Sequence, residues 1–180
     1  MVAATNSAEL TARAQRIELV ISDNDGVLTD GTVFVSEKGE EFKQFNLRDG
    51  MGVELLRNDG VKTAILTRES SLYAKRRAEK LKLPYCWLGV RDKHAHLADI
   101  LTETGLQMEQ IAYIGDDVND LAIIEAISPF GLTAAPADAR PVVTEAVHMV
   151  CKQPGGRGAF REFAEWILDL RTAAQVGESR

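Results

Sequence analysis

Asp23-Asn24-Asp25-Gly26-Val27-Leu28-Thr29 places two carboxylates two residues apart, directly after the apolar run Leu19-Val20-Ile21. Such a pair can divide a reaction between its members: one carboxylate attacks an electrophile while the other delivers or removes a proton. Gly26 permits the sharp turn this needs. Alone, the stretch equally fits an Asp-rich surface turn, so its weight depends on the rest of the chain. Thr67 closes a second apolar run, Thr63-Ala64-Ile65-Leu66, and Lys93 opens a helical pattern. Gly115-Asp116-Asp117-Val118-Asn119-Asp120 follows a third run, Ile111-Ala112-Tyr113-Ile114. Three of these groups therefore stand at the carboxyl ends of predicted strands, where open α/β sheets bind their ligands.

The elements that must position them follow from periodicity. Ser7 is placed to cap a short helix ending near Arg16. The alternating runs Thr32–Val35 and Glu40–Phe45, joined by Ser36-Glu37-Lys38-Gly39, read as a β-hairpin. A helix is expected over Gly50–Asn58, ended by Asp59-Gly60. Strands over Lys62–Leu66, Tyr85–Leu88 and Ile111–Ile114 alternate with helices over Ser70–Lys82, Asp92–Thr104 and Asp117–Ile127. Gly131–Ala134 and Val147–Cys151 read as two further short strands, and Ala159–Leu170 as the last helix. The fold class is α/β: a Rossmann-like doubly wound parallel sheet, with a hairpin after the first strand and no insertion long enough for a separate cap domain. Residues 1–16 read as an N-terminal helical extension, 17–171 as one domain, and 172–180 as a tail, mobile from Gln175.

Length and composition set bounds. A chain of 180 residues, 45% hydrophobic and 27% charged, suits one domain with a full core. The net charge of -6 gives no general drive toward nucleic acid, so a bound anion must find local cations or a metal. No apolar run approaches the ~20 residues that span a bilayer, and no signal-peptide pattern opens the chain, which is the pattern of a cytoplasmic protein. Cys86 and Cys151 are expected as buried free thiols. His94, His96 and His148 form no metal-binding set, since His94-x-His96 splits its rings across a helix.

Asp-x-Asp, Thr, Lys and Gly-Asp-Asp, in that order and at strand ends, resemble the motifs of the haloacid dehalogenase-like phosphatase superfamily. From about Ile17 to Leu168 the resemblance narrows to its capless subfamily, the 3-deoxy-octulosonate 8-phosphate and nonulosonate 9-phosphate phosphatases. The narrowing rests on Asp25-Gly26-Val27-Leu28-Thr29-Asp30-Gly31, Phe45-Asn46-Leu47-Arg48-Asp49-Gly50 and Gly155-Gly156-Arg157-Gly158-Ala159. Ala135-Pro136-Ala137-Asp138-Ala139 and Arg161-Glu162-Phe163-Ala164-Glu165 also look like the C-terminal domain of animal CMP-sialate synthetases.

The resemblance implies a Mg2+-dependent phosphoric monoester hydrolase acting on a phosphorylated sugar acid. Asp23 would be the nucleophile forming an aspartyl-phosphate, and Asp25 the general acid and base. Asp23 and Asp116 would hold Mg2+ through carboxylate oxygens, and Asp25 through its backbone carbonyl. Thr67 and Lys93 would hold the transferring phosphoryl group. Asp117, Asn119 and Asp120 would stand behind them, orienting Lys93 or metal-bound water. Asn24, where many relatives carry an apolar residue, is expected to point away.

At Thr67-Arg68-Glu69 the chain departs from the Thr-Gly-Arg typical of octulosonate phosphatases. It resembles the nonulosonate enzymes there, which makes Glu69, Arg77 and Lys80 leaving-group contacts. Arg48 and Arg157 are further candidates for an anionic substrate, and in the family the Arg157 segment enters a neighbour's site. A homotetramer with shared active sites is implied, since no cap of the chain's own covers the site. A promiscuous metabolite phosphatase and a non-catalytic oligomerisation domain are the competing readings. Buried like charges at Asp23, Asp25 and Asp116 serve no purpose in a mere scaffold.

Overall fold

The computed structural model describes residues 6–178 except Ser71, and only the backbone of Glu41 and of residues 174–178. It opens with α1 (Ser7–Arg16), whose cap is Asn6 rather than Ser7. Asn6 keeps an extended backbone and accepts from Glu9 N at 2.8 Å, whereas Ser7 has already joined the helix. Strand β1 (Leu19–Ser22) follows, then the hairpin β2 (Phe34–Ser36) and β3 (Gly39–Phe42). The chain continues through α2 (Leu47–Asn58), β4 (Lys62–Leu66), α3 (Leu72–Leu81), β5 (Tyr85–Trp87) and α4 (Leu97–Thr104). A 3-10 turn (Met108–Gln110) leads into β6 (Ile111–Ile114) and α5 (Val118–Ile127). It ends with β7 (Leu132–Ala135), α6 (Pro141–Thr144), β8 (Met149–Val150) and α7 (Ala159–Glu178).

Six strands form one sheet in the order β5-β4-β1-β6-β7-β8, every pair parallel. Alternate residues supply opposite faces. Val20, Ile65, Ala112 and Ile114 join Leu56, Ala78, Phe160 and Phe163 from α2, α3 and α7 in one core. Leu19, Ile21, Ala64, Leu66 and Tyr113 join Ile100, Ile123 and Ile124 from α4 and α5 in the other. Burial on both faces explains the unbroken apolar runs, each large side chain contributing roughly 1.5–3 kcal/mol. Strand order reverses at β1, which has β4 on one side and β6 on the other. The crevice at such a switch point is where α/β sheets bind ligands.

Several elements differ from the sequence expectations. Lys93 stands in a turn ahead of α4, which starts only at Leu97. The short α6, begun by Pro141, has too few residues to show a period. Helix α7 runs past Leu170 to Glu178. Arg171 ties it down, donating to Ala14 O at 2.9 Å and to Asp59 Oδ2 at 2.5 Å. Of the tail expected to be mobile, the backbone to Glu178 thus belongs to α7, and Ser179 and Arg180 lie outside the described residues. Cys151 is buried, Cys86 only half-buried, and both are free. No helix of the described residues is long and apolar enough to cross a membrane.

The hairpin stands apart from the main sheet. Phe34 pairs with Phe42, their ring centroids 4.6 Å apart, yet Phe34, Val35 and Phe42 are all more than half exposed, at 54%, 68% and 55%. Among the described residues no cap is inserted between these elements.

Candidate active site

The carboxyl ends of β1, β4 and β6 bring the motif residues together. Asp23, Asp25, Gly26, Thr67, Asp116 and Asn119 line one open chamber of about 270 Å³, with Gly31, Arg68, Glu69 and Asp117 completing the wall. Asp23 leaves β1 with Oδ1 fixed by Asn24 N at 2.7 Å and by Lys93 Nζ at 2.9 Å. Among the described residues no donor reaches its Oδ2.

Lys93 is 1% exposed although it sits in a surface turn. Its ammonium is drawn in by Asp120 Oδ1 at 2.6 Å and lies 3.3 Å from the Tyr113 hydroxyl. Burial opposes the charge on Lys93, but Asp23 and Asp120 outweigh it and raise its pKa. Asp120 has no surface: Oδ1 also accepts from Tyr113 at 2.6 Å, and Oδ2 accepts from Asp116 N at 3.0 Å and Asp117 N at 3.3 Å. Asp117 in turn caps α5, accepting from Val118 N. One carboxylate therefore fixes the lysine, a buried tyrosine and the turn that carries Asp116.

Gly26 makes the approach of the two acidic loops possible. Its φ of +85° suits glycine, and a Cβ there would lie 2.0 Å from Asp116 Oδ2. Across the loop, Gly155 sits so close that a Cβ would lie 1.9 Å from Gly26 O, and Gly156 N donates to Val27 O at 2.8 Å. The Gly155-Gly156-Arg157-Gly158 segment thus packs on its own chain's aspartate loop, with Arg157 60% exposed beside Asp30 at 4.0 Å.

Asp25 is held by one oxygen only. Its Oδ1 accepts from Lys43 Nζ at 2.8 Å, Asn24 Nδ2 at 3.1 Å and Thr29 Oγ1 at 3.3 Å. Its Oδ2 is buried and has no partner. Asn24 therefore does not point away as expected: it is fully buried, and its amide satisfies Asp25. Thr67 is buried and its Oγ1 accepts from Glu69 N at 3.2 Å, which leaves the hydroxyl proton free to be donated into the chamber.

The acidic groups share a surplus of negative charge. Burial, and then repulsion by Asp120, hold Asp23 well above the usual carboxylate range. Burial, then Asp120 and Asp117, push Asp116 up to about 7. Oxygens of Asp23, Asp116 and Asp120 lie within 4.8 Å of one another. An all-oxygen set of this size suits a hard divalent cation, which would relieve that repulsion. With both Asp120 oxygens taken by donors, Asp23 and Asp116 are the carboxylates left to bind it.

Of the remaining sequence candidates Glu69 reaches the chamber, and Arg77, Lys80 and Arg48 do not line it. Arg77 is buried beside the hairpin exit, donating to Asn46 O at 2.7 Å with its guanidinium 5.3 Å from the Phe45 ring. Burial lowers its pKa while Asp49 opposes the shift. Lys80 lies exposed in the last turn of α3, and Arg48 exposed in the first turn of α2, and neither lines the chamber. Glu69 does line it, beside Arg68. Sequence reasoning missed Lys43, Asn24 and Tyr113. Only Tyr113 carried a signal, since a hydroxyl inside an apolar strand must find a partner.

A central parallel sheet with these acidic loops at its switch point defines a haloacid dehalogenase-like hydrolase fold. No protein-family model matches the chain. A 3-deoxy-D-manno-octulosonate 8-phosphate phosphatase of Yersinia pestis is 38% identical over 160 residues, spanning 89% of this chain and 84% of its own. The cobalt-bound deoxy-D-mannose-octulosonate 8-phosphate phosphatase of Haemophilus influenzae superposes with a TM-score of 0.83 at 38% identity, over 89% of this chain and 92% of that one. The Moraxella catarrhalis enzyme, solved with magnesium, phosphate and 3-deoxy-D-manno-octulosonate (KDO), has a TM-score of 0.85 at 29% identity, over 97% and 100% of the two chains. The chain belongs to the 3-deoxy-octulosonate 8-phosphate phosphatase family, phosphoric monoester hydrolases of the haloacid dehalogenase-like superfamily.

Proposed function

We propose that the chain is a Mg2+-dependent phosphatase that removes the terminal phosphate of a 2-keto-3-deoxy sugar acid, 3-deoxy-octulosonate 8-phosphate first, through an aspartyl-phosphate. One observation carries the reading. In a single chamber, Asp23 is pinned through Oδ1 by Lys93 while the adjacent Asp25 keeps a buried, unpartnered Oδ2. Asp23 attacks phosphorus through its free Oδ2 as the ester oxygen departs. Asp25 gives that oxygen a proton, then takes one from the water that cleaves the acyl-phosphate. The Thr67 hydroxyl and the Lys93 ammonium hold the equatorial phosphoryl oxygens. Mg2+, bound by Asp23, Asp116 and the Asp25 backbone carbonyl, supplies the positive charge that lets a carboxylate approach a phosphate dianion. Asp117, Asn119 and Asp120 support these groups from behind.

The names of the relatives favour the eight-carbon substrate. So does the placement of Arg77 and Lys80 away from the chamber, which leaves Glu69 alone of the three leaving-group contacts expected for a nine-carbon substrate. Arg68 and Glu69 then face the sugar acid, and Arg48 and Arg157 act across a subunit boundary. We further propose a cytoplasmic homotetramer with shared sites, supported by the exposed Phe34, Val35 and Phe42 of the hairpin and by the open chamber. Steady-state rates on octulosonate 8-phosphate, a nonulosonate 9-phosphate and a panel of metabolite phosphates, with and without Mg2+, test the reading. A preference of less than about tenfold in kcat/KM for either sugar acid over the panel would favour a promiscuous phosphatase. No Mg2+-dependent turnover would favour a scaffold.

A further inference from the structure

The hairpin delivers one charged group into the chain's interior. Lys43 follows β3 directly, its side chain is only 6% exposed, and its ammonium reaches Asp25 Oδ1 at 2.8 Å. Asn24 and Thr29 bind the same oxygen from the aspartate loop itself, at 3.1 and 3.3 Å. Lys43 is the donor that comes from elsewhere in the fold, and it is the shortest and the charged one. All three donors fall on Oδ1 and none on Oδ2. A carboxylate gripped this way cannot rotate without breaking a charge-assisted bond. Lys93 is engaged by Asp23 and Asp120, so the two lysines serve different carboxylates. The hairpin is itself braced on α3, where the Tyr73 hydroxyl donates to Glu40 O at 3.1 Å.

We infer that Lys43 is a positioning residue for proton transfer: by gripping Oδ1 it fixes the orientation of the Asp25 carboxyl group at the chamber wall, and it makes this alignment depend on the seating of the hairpin. The inference rests on the assignment of Asp25 as general acid. It couples the acid to the hairpin, since the exposed Phe34 and Phe42 belong to the ribbon that carries Lys43.

The test compares kcat/KM, which reports only steps up to leaving-group departure, on three esters. These are 4-nitrophenyl phosphate, whose leaving group departs without a proton, a simple alkyl phosphate, and octulosonate 8-phosphate. Lys43→Met should lower kcat/KM about 10- to 100-fold on the alkyl and sugar-acid esters and by less than about threefold on the aryl ester. Lys43→Arg should recover most of the loss, and Lys43→Gln, which keeps a neutral donor, should fall between. Equal loss on all three esters would make Lys43 merely structural, and loss on the sugar acid alone would make it a substrate contact. Either result overturns the inference. Asp25→Asn is the control: if it too spares the alkyl ester, the general-acid assignment fails. If it abolishes alkyl turnover while Lys43→Met is silent, the role of Lys43 alone is wrong. Thermal unfolding of each variant separates these outcomes from loss of fold.

Discussion

Lys93 Nζ lies 2.6 Å from Asp120 Oδ1, and both side chains are wholly shielded from solvent. A buried ion pair of this kind is costly to break from one side, and without the Asp120 charge Lys93 would keep Asp23 alone as its counter-charge. Asp120→Asn also turns an acceptor toward the N–H groups of Asp116 and Asp117 into a donor in one amide orientation. The variant should lose about 1–3 kcal/mol of stability and at least about tenfold in turnover. Urea unfolding and steady-state rates check both, and wild-type values for both would make Asp120 a spectator.

Asp23→Asn keeps the shape of the side chain and removes its charge. If Asp23 attacks phosphorus, turnover should fall at least ~10³-fold while the fold persists. Circular dichroism and rates at saturating Mg2+ are the measurements. Turnover within tenfold of wild type would remove Asp23 from the nucleophile's role.

Asp49 gives a pH prediction away from the chamber. It is fully buried in α2 and accepts from Arg161 N at 3.1 Å, so it caps the start of α7. Burial raises its carboxyl to about 6, against the hydrogen bonds from Arg161 and neighbouring backbone and the charge of Arg77. A raised carboxyl binds its proton more tightly in the folded chain, so this group adds stability as pH falls through 6 toward 3.8 and adds none above 6. The unfolding free energy of wild type minus that of Asp49→Asn should therefore rise by about 2 kcal/mol between pH 7.5 and 4.5. Denaturant titrations at the two pH values check it. A constant difference would show that Asp49 does not change protonation there.

Arg157 tests the shared site. Its guanidinium is largely exposed and lies 4.0 Å from Asp30 of its own chain. Arg157→Ala should cost about 10- to 150-fold on the sugar-acid phosphate and far less on a small aryl phosphate, the range of one charged hydrogen bond. Sedimentation should show a tetramer. A fully active monomer, or equal loss on both substrates, would defeat the shared site.

The sheet and the reactive cluster were legible because three of the four motif groups follow an apolar run, and a parallel sheet sends all such ends to one edge. What stayed hidden depended on contacts between distant residues. Nothing in Phe42-Lys43-Gln44 distinguishes an inward lysine from an outward one until the hairpin is seen to fold back over Asp25. Arg77 read as a leaving-group contact, but Phe45 and Asn46 draw it under the hairpin exit. Asp120 could have been a surface acid on α5, and only the coincidence of Lys93, Tyr113 and two backbone amides buries it. The end of α7 was misjudged because its polar last turns are held by Arg171, a tether across the fold rather than a local signal.

Gly26 lies between the Asp116 carboxylate and the Gly155 backbone, and no side chain separates the three segments. The stack gives these positions a mutational signature that can be mistaken for chemistry. A single methyl group at Gly26 or Gly155 would push apart loops whose spacing sets where phosphorus sits, and even a 1 Å misplacement can cost about 100-fold in rate. In a deep mutational scan selected for activity, Gly155, which takes no part in the reaction, would score as severely as Asp23. Binding of Mg2+ measured beside activity would tell the two apart, since Gly155→Ala removes no carboxylate whereas Asp23→Asn does.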